Sequence, residues 1–166
     1  IRGLRELGVT KLVMMTGDNE KTARAVAEAV GVDAYFAEVL PEDKAAFIRA
    51  EHAAGRKVIM LGDGVNDSPA LSEADAGVAI SDGAAIAREV ADITVGADDL
   101  YALLTLKRLS DALMERIHSN YRKIISFNFL LICLGVAGVL PPATSALLHN
   151  ASTLVISLKS MTKLLA

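Results

Sequence analysis

Gly62-Asp63-Gly64-Val65-Asn66-Asp67-Ser68-Pro69-Ala70-Leu71 follows directly on the apolar run Lys57 to Leu61. Two glycines let the backbone turn tightly at a strand end. Asp63 and Asp67, four residues apart with the amide of Asn66 between them, offer hard oxygen donors of the kind an octahedral cation such as Mg²⁺ takes. Asp67 also stands where an N-cap belongs, before a short helix reaching about Ala74. A solvated acidic turn needs no such ordered set. The reading is therefore strand, ligand loop, helix, with the loop at the carboxyl end of a strand, where open α/β sheets bind their ligands.

The same unit recurs on both sides of this block. Upstream, Lys11 to Met15 reads as a strand, closed by Thr16-Gly17-Asp18-Asn19, and Glu20 to Val30 carries Ala23, Val26, Ala27 and Val30 at helical spacing before Gly31. Ala34 to Ala37 is a second short strand, and Pro41 opens a helix to about Ala54, ended by Gly55. Downstream, Ala76 to Ile80 and Asp92 to Val95 read as strands separated by a helix over Ala84 to Val90. Strands alternating with helices at this spacing predict an α/β fold with a parallel sheet covered on both faces.

Two further polar clusters fall at the strand ends. The Thr16 hydroxyl and the amides of Gly17 and Asp18 are placed to meet an anion at a helix start, although a Thr-Gly-Asp-Asn turn also serves as a plain N-cap. Pro41-Glu42-Asp43-Lys44 reads, in isolation, as an acidic first helical turn with one exposed lysine.

Charge divides the chain. Ile1 to Glu115 holds 12 Lys and Arg against 20 Asp and Glu, a balance of −8; Arg116 to Ala166 holds 5 against 0, or +5, and the two sum to the net −3. Ile124 to Leu158 contains no Asp, Glu, Lys or Arg across 35 residues. Ile124 to Leu140, about 26 Å as a helix at 1.5 Å per residue, nearly spans a hydrocarbon core; Pro141-Pro142 stops it, and Thr144 to about Leu165 returns. Arg116, Arg122, Lys123, Lys159 and Lys163 flank this hairpin on one side, which puts both ends in the cytoplasm. A buried helical pair in a soluble protein is the competing reading. Helical spacing from Asp98 through Tyr121 leads into the hairpin without a breaker. The divisions are thus residues 1–97, a parallel-sheet domain; 98–123, a linking helix; and 124–166, a transmembrane helical hairpin in a lipid bilayer.

With 52% apolar residues the chain is not disordered, and it shows no basic face interleaved with aromatics, so nucleic acid is excluded as a partner. One cysteine, Cys133, rules out an internal disulfide framework. Ile1 to Gly8 alternates charge and leucine like the tail of an amphipathic helix, which predicts a fragment of a longer protein.

The three clusters, in this order, resemble the phosphorylation domain of P-type ATPases, within the haloacid-dehalogenase-like, Rossmann-type fold. In that family a TGD segment contacts an aspartyl phosphate, a P-x-D-K lysine neutralises it, and GDGxNDxxAL holds Mg²⁺. Here these are Thr16-Gly17-Asp18, Pro41 to Lys44, and Gly62 to Leu71. The resemblance implies direct coordination of Mg²⁺ by Asp63, with Asp67 as its companion; site geometry held by Asn66 and Asp67; and Lys44 on the phosphoryl oxygens. The family's D-K-T-G-T nucleophile segment does not occur in this chain, nor do its nucleotide-binding and actuator parts. The resemblance therefore implies the C-terminal part of a pump in the plasma membrane of a bacterium, with ATP held by the part that precedes it.

A single hairpin after the soluble part is similar to the heavy-metal (type IB) branch, whose last helices contribute ligands to the transported ion. Polar residues there are Ser126, Asn128 and Cys133, then His149, Asn150, Ser152 and Thr153. Polar groups at membrane depth tend to face a bundle interior or a pathway. An interfacial histidine, a packing cysteine, and hydroxyls bonded back to their own helix are the bland alternatives. His149 to Thr153 is similar to the branch's His-Glu-Gly-x-Thr pattern, with Asn150 in place of the acid. Imidazole and amide favour a divalent first-row ion over Cu(I), so the implied cargo is Zn²⁺, Mn²⁺, Cd²⁺ or Co²⁺. Rival readings are a membrane-tethered phosphatase of the same superfamily and a non-catalytic membrane subunit.

Overall fold

The computed structural model describes residues 1–62, 66–80, 90–96 and 99–164, which fall into two compact units, Ile1–Leu104 and Thr105–Ala166. In the first, α1 (Arg2–Glu6) precedes β1 (Val13–Met15), α2 (Glu20–Val30), β2 (Ala34–Phe36), α3 (Pro41–Ala53), β3 (Ile59–Gly62), α4 (Ser68–Glu73), β4 (Ala76–Ile80) and β5 (Ile93–Val95). Asp63, Gly64 and Val65 lie outside the described residues, as do Ala84 to Glu89 of the helix predicted over Ala84 to Val90.

Every described strand pair is parallel, as the alternation of strands and helices requires. The strands form two sheets, however: β1–β2 with Val13 opposite Ala34 and Met15 opposite Phe36, and β3–β4–β5 with Gly62 opposite Ala79 and Ile80 opposite Val95. Covering on both faces does not hold for β3, whose residues alternate; Ile59 is 52% exposed. The reason is that α4 packs on β3 and β4 from one side and α3 stacks on α4, which leaves the Ile59 and Leu61 face exposed among the described residues.

The core is built from small side chains, so helices come close. Ala23 and Ala27, four apart on α2, are buried, as are Ala45 and Ile48 on α3, Ala70 and Leu71 on α4, and Val78 and Ala79 on β4. A Cβ on Gly77 would lie 2.6 Å from the Leu71 carbonyl oxygen, which shows how tightly α4 sits on β4.

The second unit contains most of α5 (Ala102–Val136) and all of α6 (Pro142–Ser160). The helix predicted to run to Leu140 stops at Val136. Gly138 takes a left-handed φ of 72°, and the Val139 and Leu140 amides fold back onto the Leu134 carbonyl, ending the helix before the prolines are reached. Arg116 on α5 donates to the carbonyls of Ser160, Thr162 and Lys163, and Asn120 Nδ2 donates to Ser160 Oγ at 2.6 Å, so α5 closes the carboxyl end of α6. Among the described residues no helix is long and apolar enough to cross a membrane. The charge-free part of α5 is cut to Ile124–Val136, about 20 Å at 1.5 Å per residue, and polar His149, Asn150 and Ser152 interrupt α6.

Candidate functional site

Parallel pairing puts the ends of β1 and β2 side by side, and backbone bonds extend the pairing past both strands. The Thr16 amide donates to Phe36 O at 3.0 Å, the Glu38 amide to Asp18 O at 2.9 Å, and the Val39 amide to Thr16 O at 3.0 Å. The Thr16–Asp18 loop is therefore tied to the segment that opens α3. That opening is set by Pro41 at the helix start and by the Asp43 carboxylate, which accepts the Leu40 amide at 3.2 Å. Lys44 follows within the next turn.

Lys44 is not the exposed lysine of an ordinary helix start. Its Nζ lies 2.6 Å from Asp67 Oδ1, and the two side chains are only 13% and 12% exposed. Asp67 is the N-cap residue of α4, as the sequence predicts, but its carboxylate makes no capping bond and instead accepts from Lys44 at Oδ1. A Cβ on Gly62 would meet Asp67 Oδ2 at 2.5 Å, so the second carboxylate oxygen rests where the glycine leaves room at the end of β3.

The Thr16 loop differs in detail from its sequence reading. Asn19 caps α2, accepting from the Thr22 amide at 3.0 Å. Thr16 Oγ1 accepts the Asp18 amide at 3.1 Å and donates to Asp18 Oδ2 at 2.9 Å. The hydroxyl and the Asp18 amide, both placed by sequence to meet an anion, are thus bonded to each other, the short-range pattern that threonine favours in turns. Asn66 is exposed beside buried Asp67. Asp63 lies outside the described residues.

Among the described residues, the structure joins Lys44 on α3 to Asp67 at the start of α4, and it ties the Thr16–Asp18 loop by backbone bonds to residues 38 and 39, just before α3. Asp67 presents carboxylate oxygens, one facing an ammonium and one against bare backbone. That donor chemistry fits a hard divalent ion such as Mg²⁺. Glu38 is the residue that sequence reading misses. It takes φ 54°, and among the described residues it is the one non-glycine in the left-handed region. Nothing in the periodicity around Ala37-Glu38-Val39 signals this.

In the second unit, His149 Nδ1 and Asn128 Oδ1 meet at 2.8 Å, so α5 and α6 bring together two of the residues read as ion ligands. Asn128 Oδ1 is an acceptor, so His149 Nδ1 donates in this pair, which leaves Nε2 outside it. Ser152 Oγ and Thr153 Oγ1 both donate to the His149 carbonyl, at 2.8 and 3.0 Å, and so bond to their own helix. Cys133 and Asn150 are exposed. Among the described residues no three His, Cys, Asp or Glu side chains gather as a metal site.

Residues 1–75 match the family model of haloacid dehalogenase-like hydrolases. Over 154 residues the chain is 42% identical to a zinc-exporting P-type ATPase of Mycobacterium marinum, covering 92% of this chain and 21% of that protein. The chain belongs to the heavy-metal P-type ATPase family. It is also 45% identical over 148 residues to a copper-transporting ATPase of Rhizobium meliloti, covering 89% of this chain and 18% of that one. The crystal structure of a zinc-transporting PIB-type ATPase superposes with a TM-score of 0.82 at 28% identity, covering 96% of this chain and 26% of that one. The chain spans about a fifth of the length of the curated P-type ATPases it matches. The family-model match ends just beyond the Gly62 to Leu71 block, so it includes all three loops.

Proposed function

We propose that this chain is the C-terminal part of an ATP-driven exporter of a divalent transition metal, working through an aspartyl phosphate whose nucleophile lies in protein outside this chain. The observation that carries the reading is the Lys44–Asp67 pair beside the end of β3, with the Thr16 loop bonded to residues 38 and 39 ahead of the helix that carries Lys44.

Phosphoryl transfer to a carboxylate forms one P–O bond as the bond to the ADP oxygen breaks, and negative charge is spread over the equatorial oxygens. Lys44 supplies a cation held nearly out of water, where its attraction is weakly screened. Asp67, with Asp63, would hold Mg²⁺. Bound there, Mg²⁺ supplies neutralisation of phosphate charge. Asp67 also keeps Lys44 oriented, and Asn66 and the Thr16–Asp18 loop complete the donor wall.

Residues 124–166 are read as a hairpin in a lipid bilayer, with the first unit in the cytoplasm and residues 98–123 as the link. Support comes from the charge-free run, from the basic residues gathered at one side, and from apolar side chains that stay exposed, such as Val136 at 85% and Phe129 at 68%. No described helix is both long and apolar enough for an ordinary span, so this reading needs flanking Arg122, Lys123 and Lys159 to snorkel toward the interface. Asn128 and His149 are the favoured ligands of the cargo, since an imidazole held through Nδ1 leaves Nε2 to face a borderline ion. Cys133, Asn150, Ser152 and Thr153 rank behind them.

In the protein that carries this chain, Asp63→Ala and Asp67→Ala should each abolish phosphoenzyme formation from labelled ATP. Normal, metal-stimulated turnover in either variant would defeat the assignment. Hydrolysis of small phosphate esters with no metal dependence would favour a phosphatase instead.

A further inference from the structure

Glu38 has an exposed side chain and a left-handed backbone, φ 54°, in the connection between β2 and α3. Residues with a Cβ rarely adopt that region, and a lone exception persists where surrounding bonds enforce it. The bonds are identifiable. The amides of Glu38 and Val39 both point at the loop of Thr16 to Asp18, donating to Asp18 O and to Thr16 O at 2.9 and 3.0 Å. Two successive amides of an extended segment point to opposite sides, so a single strand residue could not aim both at one loop. The left-handed residue turns the chain so that they do. Two residues later Leu40 is the N-cap of α3, whose Lys44 reaches Asp67.

We infer that Glu38 is a positioning residue for the phosphoryl site: its left-handed backbone latches the Thr16–Asp18 loop to the start of α3 and so fixes the offset between that loop and Lys44. Its carboxylate has no part in this role. The inference rests on the proposed phosphoryl function of the site and names a residue that function does not otherwise use.

The test is a graded series at position 38 in the protein that carries this chain. Glu38→Gly adopts the left-handed region freely; Glu38→Ala keeps a Cβ; Glu38→Val is branched there and fits worst. The rate of phosphoenzyme formation should follow Gly at or above wild type, then Ala, then Val, with Val reduced tenfold or more. The KM for ATP should stay within about twofold, because the latch does not touch nucleotide. Hydrogen exchange in peptides covering residues 16–18 and 38–40 should accelerate in the same order, a readout that does not require turnover. Equal rates for Gly, Ala and Val would overturn the inference, as would a Val defect that tracks only the loss of folded protein while Ala equals Gly in exchange. Lys44→Ala, measured alongside, separates the two levels. If it still forms phosphoenzyme, the reading of the site fails; if it does not and the Glu38 series is flat, only the latch fails.

Discussion

Lys44 Nζ and Asp67 Oδ1 stand 2.6 Å apart, joining the first turns of α3 to the residue that starts α4. Both groups are largely withdrawn from solvent, so removing either strands the other's charge. Lys44→Met should destabilise the protein by about 2–3 kcal/mol, and Asp67→Asn by a similar amount. The double variant should cost less than the sum of the two, leaving a coupling of about 1–2 kcal/mol. A double-mutant cycle by denaturant unfolding measures this; strictly additive losses would mean the two side chains do not depend on one another. In phosphoenzyme assays each single variant should lose about 100-fold or more.

Gly62 makes that pair possible. A methyl group there would fall 2.5 Å from Asp67 Oδ2 and 2.7 Å from its Cβ, distances that displace the carboxylate rather than merely crowd it. Gly62→Ala should therefore cost about 1–3 kcal/mol and disable the site along with the fold's local order. Gly135→Ala is the control, since Gly135 is helical and a Cβ there meets nothing within 4 Å. A Gly62→Ala protein with wild-type melting and phosphorylation would show that Asp67 has another place to go.

How much of this can be read from residues alone varies with the range of the forces involved. The sequence bounds of α2 and β4 match the structure because their signals are local: Asn19 and Gly31 bracket the helix, and Ala76 to Ile80 is an unbroken apolar run. β1 begins two residues later than the strand read from Lys11. Lys11 is drawn to Glu51, 40 residues away, and the Leu12 amide is taken by the Asp33 carboxylate. Asp67 is legible as both donor and cap, but its carboxylate turns to Lys44 rather than to the α4 amides, and that choice depends on how α3 lies against α4. The early stop of α5 follows the backbone of Gly138, where the two prolines place the boundary four residues too far. Glu38 is invisible in the sequence, since its conformation is dictated by the Thr16 loop across from it.

Acid should weaken the first unit through two carboxylates remote from the phosphoryl site. Glu51 is held near a pKa of about 2, below its ordinary 4.5, by hydrogen bonds from Arg56 and then Lys11. Asp75 is held at about 2, below 3.8, by Lys57, then the Val58 amide, then His52. Both values are depressed by folding, so their contribution is complete above the unfolded values and drains away as pH falls from about 4.5 to about 2. Hydrogen exchange of β3 amides should be faster at pH 3 than expected from intrinsic chemistry alone. Glu51→Gln and Asp75→Asn should each flatten that acid slope while lowering protection at pH 7. An unchanged slope in both variants would mean that other groups govern acid sensitivity.

Arg116 closes the base of the hairpin from the side of α5. Its Nη1 lies 3.0 Å from Ser160 O and 2.5 Å from Thr162 O, and its Nη2 lies 2.7 Å from Lys163 O. The last carbonyls of a helix have no partners within it, and their partial negative charge suits a cation. The guanidinium meets one of them, Ser160 O, together with the Thr162 and Lys163 carbonyls just past the C-cap, because its donors fan out in one plane; an ammonium is a point and holds fewer at once. Arg116→Ala should therefore loosen residues 158–164 by about 1.5–3 kcal/mol, read as faster amide exchange confined to that end of α6. Arg116→Lys should recover only part of the protection, and Asn120→Ala should add to the loss, since Asn120 binds the Ser160 hydroxyl at 2.6 Å. Full recovery by lysine would mean that charge alone, and not the fork of donors, secures the carboxyl end of α6.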